Sequence, residues 1–306
     1  MHSVLVLMST YNGEKFLEAQ LESLYNQHGV DIHILVRDDG SKDSTLSILD
    51  KFKSTRGQMT IIKGDNVGAA KSFFEVSRYA QSKLPQFDYY AFCDQDDVWL
   101  PDKLISAANN LEKAGKNKLY FCSENYVDSN LNIIGTAKPI QYFDYTTSVY
   151  RNPALGCTMV FDKCLFDTFC LAANISDRIN SLHDAWMFMC ATFTGANIIP
   201  DNNIHLLYRQ HGRNVTLAKK NAFQRYWTAL KRKCKRGKDY RQDRATFYNL
   251  YLNHIDNQDK KDFFNSMISY DGSFKNTIKY LRMQKWKSEP LADRILWTFL
   301  VLFRVF

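Results

Sequence analysis

The 306-residue chain is 45% apolar and 24% charged, the composition of an ordinary folded protein built as one large domain or as one domain with an appendage. Its seven cysteines are an odd set without a Cys-x-x-Cys pair, which argues against a disulfide scaffold or a cysteine-rich zinc site and fits a reducing cytoplasm. The net charge of +8 is concentrated: between Lys219 and Arg244 eleven basic residues face only Asp239 and Asp243, so the rest of the chain is close to neutral.

The first half alternates two periodicities. Val4 to Met8 is apolar, too short and without the basic lead-in of a signal peptide, and it runs into the turn signal Ser9-Thr10-Tyr11-Asn12-Gly13; it reads as a first buried strand. Glu14 to Gln27 reads as a helix with Phe16, Leu17, Leu21 and Leu24 on one face, and Asp31 to Arg37 as a strand with alternating Ile32, Ile34 and Val36. Helix, strand, helix and strand follow over Ser44 to Lys53, Thr60 to Lys63, Ala69 to Gln81 and Tyr89 to Cys93. This order implies an α/β fold with a mostly parallel sheet flanked by helices, whose ligands bind beyond the carboxyl ends of the strands. Further strands are expected at Leu119 to Cys122, Thr158 to Phe161, Ala196 to Ile199 and His205 to Tyr208, and a helix at Asp184 to Ala191. From about residue 216 the pattern turns helical, aromatic and basic, which divides the chain into a catalytic part over 1–215 and a helical region over 216–306.

The polar motifs fall at the expected strand ends. Arg37-Asp38-Asp39-Gly40-Ser41-Lys42-Asp43-Ser44 follows the second strand. A strand-turn-helix junction explains Gly40, Asp43 and Ser44, but not two adjacent acids, which could accept from a base imide N–H and ribose hydroxyls. Asp65-Asn66-Val67-Gly68 follows the third strand and suits a turn whose backbone approaches a ligand. Asp94-Gln95-Asp96-Asp97 closes the fourth, placing three carboxylates within four residues. Hard oxygen ligands there suit Mg²⁺ or Mn²⁺ with substrate phosphates; a solvated acidic turn is the alternative. Pro101 marks a helix start, and Trp99 is core packing or a platform beside the site.

The succession Ser9-Thr10-Tyr11-Asn12, Asp38-Asp39-Gly40-Ser41-x-Asp43, Asn66-x-Gly68 and Asp94-Gln95-Asp96-Asp97 resembles the family 2 glycosyltransferases with the GT-A fold, over roughly residues 3 to 215. The longer form Asp-Gln-Asp-Asp-x-Trp-x-Pro-x-Lys-Leu, preceded by Asn66-x-Gly68 and Phe73, is similar to the bacterial rhamnosyltransferase-like branch. The resemblance implies a nucleotide pocket lined by Thr10, Tyr11, Asp38, Asp39, Asn66 and Asp94. It implies a metal held by Asp96 and Asp94, with His211 as a further candidate ligand. The family's catalytic base is matched by Asp184 in Leu182-His183-Asp184-Ala185-Trp186, where His183 stands in place of the commoner Glu. Gly156, in Asn152-Pro153-Ala154-Leu155-Gly156, matches the loop that approaches the donor sugar. His183 and Trp99 are further candidate donor or acceptor contacts, Asp97 serves the turn or the acceptor side, and Arg209 pairs with phosphate or belongs to a polar loop leaving the last strand. The processive Gln-x-x-Arg-Trp motif is absent from Tyr208-Arg209-Gln210-His211-Gly212-Arg213-Asn214, which argues against a polymerising synthase.

An inverting, metal-dependent sugar transfer is therefore expected, from dTDP-rhamnose or a UDP-hexose to a lipid-linked or oligosaccharide acceptor in bacterial surface polysaccharide synthesis. A non-catalytic nucleotide-sugar-binding scaffold is the alternative of another class. Phe223, Tyr226, Trp227 and Leu230 make one helical stripe ahead of Lys231-Arg232-Lys233-Cys234-Lys235-Arg236. That pattern reads as an element for an anionic membrane surface and places the protein at the inner face of the cell membrane; packing on the catalytic part is the alternative. Ile295 to Phe303 is too short to span a bilayer, which takes roughly 20 apolar residues, and suits an interface or a homo-oligomer contact. Nucleic acid is not expected, because the strand-end acids point elsewhere.

Overall fold

A computed structural model of the protein describes residues 1–138, 143–211, 239, 241–285 and 291–303. The expected alternation is present as β1 (His2–Thr10), α1 (Leu17–Tyr25), β2 (Val30–Asp38), α2 (Thr45–Arg56), β3 (Met59–Lys63), α3 (Ala69–Lys83) and β4 (Tyr89–Cys93). There follow β5 (Val98–Trp99), α4 (Lys103–Glu112), β6 (Lys118–Val127), β7 (Ile133–Ala137), α5 (Tyr145–Ser148), β8 (Met159–Asp162), α6 (Lys163–Cys170), α7 (His183–Phe193) and β9 (Asn197–Arg209). The C-terminal helices are α8 (residues 241–251), α9 (Gln258–Ser269), α10 (Phe274–Arg282) and α11 (Leu291–Leu302).

The strands form one sheet in the order β3-β2-β1-β4-β8-β6-β9-β5, with β7 paired to β6. Pairs β3–β2, β2–β1, β1–β4 and β6–β9 are parallel; β8 runs antiparallel to both β4 and β6, and β5 and β7 are antiparallel to their neighbours. The mostly parallel sheet is as expected. Two expected strands, 196–199 and 205–208, are one: β9 passes through Pro200, and its pairing with β6 shifts register on either side of Ser123. That irregularity absorbs the residues that break the alternation in sequence. The first helix begins at Leu17 and not at Glu14, because the amides of both Phe16 and Leu17 close a turn on the Gly13 carbonyl.

Strand β1 is buried on both faces, as a central parallel strand must be. Its pleat splits the core. Val4, Val6 and Met8 pack with Leu17, Leu21, Leu49 and Leu104 from α1, α2 and α4. Leu5 and Leu7 face the opposite layer, where Phe73, Phe169, Trp186, Phe247, Phe264 and Leu300 join α3, α6, α7, α8, α9 and α11 in one cluster. The C-terminal helices thus share the core of the preceding residues: Trp186 meets Phe247 edge-on at 5.3 Å, and Phe193 meets Phe264 at 4.2 Å. The aromatic stripe at 223–230 and the basic run at 231–236 lie outside the described residues.

Candidate active site

Four parallel strand ends converge at one edge of the sheet. At the end of β1 the Thr10 hydroxyl donates to Asp38 Oδ2 at 3.0 Å, and the Thr10 carbonyl accepts from the Asp39 amide at 2.8 Å. Asp38 also accepts from the Ser41 amide at 2.9 Å and the Ser41 hydroxyl at 2.5 Å, closing a turn in which Gly40 has φ +82°. Asp39 pairs with Arg37 and accepts from the amides of Val67 (3.0 Å) and Gly68 (2.9 Å). It therefore fixes the loop that carries Asn66. Both acids are buried and engaged by protein donors, so their observed work is to shape the walls of the crevice. Tyr11 and Asn66 stay exposed at its rim. Gln95 clips the rim: its Oε1 accepts from the Tyr11 amide at 2.9 Å and its Nε2 donates to the Tyr11 carbonyl at 3.1 Å.

The acidic turn after β4 splits by burial. Asp96 is half-buried and meets His211 Nε2 at 2.7 Å, while His211 stacks on Phe16 at 5.2 Å. Asp97 is fully buried; its Oδ1 accepts from the Arg209 amide at 3.0 Å, and among the described residues its Oδ2 has no closer company than the Cys157 thiol. Burial, then the charges of Asp96 and Asp94, push the Asp97 carboxyl well above the usual range. Burial, then Asp96 and Asp184, raise Asp94 to about 7. Ligand atoms of Asp94, Asp97 and Cys157 lie within 4.8 Å of one another. The paired carboxylates of Asp94 and Asp97 are a donor set that fits a hard divalent cation, whereas Asp96, the expected ligand, is engaged by His211. Cys157 offers a soft sulfur, a poor match for such an ion.

Asp184 enters from the other core layer, in the first turn of α7, with its Oδ1 accepting the Ala185 amide at 2.7 Å. It is 9% exposed, and burial raises its carboxyl to about 6, only partly offset by donors that include the Gly156 amide and the Asn152 side chain. Gly156 is required by close approach: a Cβ there would lie 2.6 Å from His183 Nε2 and 3.3 Å from Asp184 Cβ. His183 itself is buried, stacked on Phe73 at 3.7 Å and edge-on to Phe92 at 4.7 Å. Neither of its ring nitrogens has a partner among the described residues, and burial alone lowers it to about 3, so it is a neutral packing group beneath Asp184.

All five residues expected as donor or acceptor contacts are buried, Asp97 among them, sealed beneath the Arg209 amide. Trp99 is 2% exposed, with the buried Lys103 ammonium 3.3 Å from its ring centre: it is core and not a platform. His183, expected to touch donor or acceptor, supports Asp184 from below. Gly156 makes room for His183 and Asp184. Arg209, expected as a phosphate partner, donates from Nε to the Asp96 carbonyl (2.8 Å) and from Nη1 to the Ser129 carbonyl (2.7 Å), so it braces the acidic turn. Four neighbours were missed altogether. Cys157 and Asn152 lie beside Gly156 without a chemical signature, Gln95 stands between acids that draw the attention, and Glu124 follows the apolar run Leu119 to Cys122 of β6. Glu124 is 7% exposed, and burial raises it to about 7.

The same region matches the family model described as glycosyl transferase family 2, over residues 5–164. The dTDP-rhamnosyl transferase RfbG of Shigella flexneri is 32% identical over 218 residues, covering 68% of this chain and 72% of that protein. The UDP-Glc:alpha-D-GlcNAc-diphosphoundecaprenol beta-1,3-glucosyltransferase WfgD of Escherichia coli is 26% identical over 237 residues, covering 74% and 85%. Among solved structures, S. aureus TarS 1-349 in complex with UDP-GlcNAc superimposes with a TM-score of 0.57 at 15% identity, over 99% of this chain and 80% of that one, a likeness of fold.

Proposed function

The chain belongs to glycosyltransferase family 2 and is a glycosyltransferase of GT-A fold, and from that premise we propose that it transfers rhamnose from dTDP-rhamnose to a hydroxyl of a glycan acceptor, with inversion and with a divalent cation. The observation that carries the reading is the arrival of Asp94, Asp96 and Asp184 at one edge from two core layers, with Asp184 raised to about 6. A carboxylate so tuned is ionised at neutral pH yet basic enough to take a proton. The acceptor oxygen attacks the anomeric carbon, the bond to the diphosphate breaks with its electron pair leaving on the diphosphate, and the hydroxyl proton passes to Asp184. One base suffices, in contrast to the two carboxylates of retaining hydrolysis. Asp94, with the adjacent Asp97 and with Asp96 once it leaves His211, would hold Mg²⁺ or Mn²⁺, which when bound would offset the charge on the departing diphosphate. Thr10, Tyr11 and Asn66 frame the base pocket, whose walls Asp38 and Asp39 fix.

The donor rests on the likeness to RfbG; a UDP-hexose is the second reading, favoured by the likeness to WfgD. The acceptor in this proposal is a lipid-linked glycan of bacterial surface polysaccharide, met at an anionic membrane face by the basic C-terminal region, with residues 1–215 as the catalytic part. No helix among the described residues is long and apolar enough to cross a membrane. Turnover of dTDP-rhamnose and UDP-glucose is measured with Mn²⁺, with Mg²⁺ and in EDTA, and the anomeric configuration of the product is read by NMR. Metal-dependent transfer of rhamnose with inversion is expected. Retention of configuration, or equal rates in EDTA, would overturn the mechanism; transfer from UDP-glucose alone would move the donor to the second reading.

A further inference from the structure

Helix α11 has two apolar faces, and among the described residues one of them is packed. Trp297, Leu300 and Val301 are at most 6% exposed and pack into the core that contains Trp186 and Tyr280. Around the other side, Leu291, Ile295, Phe299, Leu302 and Phe303 are between 42% and 67% exposed, with Phe299 and Phe303 paired at 4.2 Å. At 100° per residue these five fall within one arc, opposite the buried three. Five large apolar side chains on one exposed face exceed what scattered surface hydrophobics explain.

Charge identifies what covers this face. The adjoining helix α10 buries Thr277 and Tyr280 and leaves Lys275, Lys279 and Arg282 exposed on its outer side, followed by exposed Lys285 and, on α11, Arg294. From Ser273 to Phe303 the sequence carries six basic residues against Glu289 and Asp293. A bilayer with anionic headgroups matches both these exposed cations and the apolar stripe. At 12 residues α11 is an in-plane element and not a span. We propose that the exposed face of α11 inserts into the acyl–headgroup boundary of an anionic membrane while α10 lies against the headgroups, anchoring the catalytic crevice at the surface where a lipid-linked acceptor resides. The choice of acceptor rests on the function proposed above; the anchoring face does not.

The test uses the full chain and phosphatidylcholine vesicles made with and without phosphatidylglycerol, in sedimentation assays at low and high salt. Ile295→Gln with Phe299→Gln alters only exposed positions. Each apolar side chain removed from the bilayer is expected to weaken partition by about tenfold or more. The wild type should keep a salt-resistant fraction on the anionic vesicles, the double variant should lose it, and turnover on a soluble acceptor should be equal in both. Equal partition of the two proteins, or binding abolished by salt in the wild type, overturns the insertion. So does a lipid-free dimer that the double variant dissociates, because a second copy then covers the face. Absence of turnover in both proteins with partition as expected would refute the proposed reaction and leave the anchor standing.

Discussion

Replacing Asp184 by Asn should make the protein more stable and nearly inactive. The Asp184 carboxyl is 9% exposed and raised from 3.8 to about 6, chiefly by burial. A group whose folded value lies above its unfolded value binds its proton more tightly in the folded state. Its stabilising effect is full below pH 4 and is lost as pH rises through about 6. The shift of roughly two units corresponds to about 3 kcal/mol of destabilisation at pH 8, once the carboxylate must be ionised in its buried seat. An Asn keeps the Oδ1 acceptor for the Ala185 amide and carries no charge. In EDTA at pH 8 the variant should therefore gain up to about 3 kcal/mol in urea unfolding, and at pH 4 the difference should shrink towards zero. Turnover should fall by about 10²–10⁴-fold, the usual span for loss of a general base. In the wild type the acid limb of the rate profile should lie at or below pH 6, because a cation beside Asp94 favours the Asp184 carboxylate. A variant destabilised at pH 8, or equally affected at both pH values, would refute the reasoning, as would a variant that keeps its turnover.

Other expectations follow from particular contacts. Gly156→Ala forces a Cβ onto the His183 ring and should cost about 1–3 kcal/mol in urea unfolding while lowering turnover, since the displaced neighbour carries Asp184. Arg209→Lys leaves the carbonyls of Asp96 and Ser129 short of donors; a loss of about 1–3 kcal/mol and weaker Mn²⁺ binding by titration calorimetry are expected. Asp243, buried at the start of α8, accepts from the Asn180 amide (2.9 Å) and the Ser181 hydroxyl (2.5 Å) just ahead of Asp184, beside Arg244, which donates to the Val149 carbonyl at 2.7 Å. Asp243→Ala should lower kcat more than it raises the donor KM, as steady-state kinetics would report. Asp94→Asn with Asp96→Asn should abolish the thermal shift that Mg²⁺ produces in the wild type, because a ligand that binds only the folded state raises its apparent stability.

Much of this protein was determined by local order in the chain. The buried run at Val4 to Met8, the alternation of Ile32, Ile34 and Val36, and the acids placed directly after strands fix a parallel sheet and the edge at which its chemistry lies. Those signals are legible because side-chain period and strand-end polarity are properties of short segments. The tertiary structure alone decided how the acids divide their work. Asp96 and Asp97 are neighbours in sequence, yet one meets His211 at the surface and the other is sealed beneath Arg209, since β9 returns alongside β5 from more than a hundred residues away. His183 and Arg209 looked like ligand contacts because a charged or ring nitrogen in a motif suggests one. Only packing shows that Phe73 holds the first and that two carbonyls hold the second. The raised carboxyl of Asp184 is likewise absent from the sequence, because desolvation depends on everything that surrounds the group and not on the residues beside it.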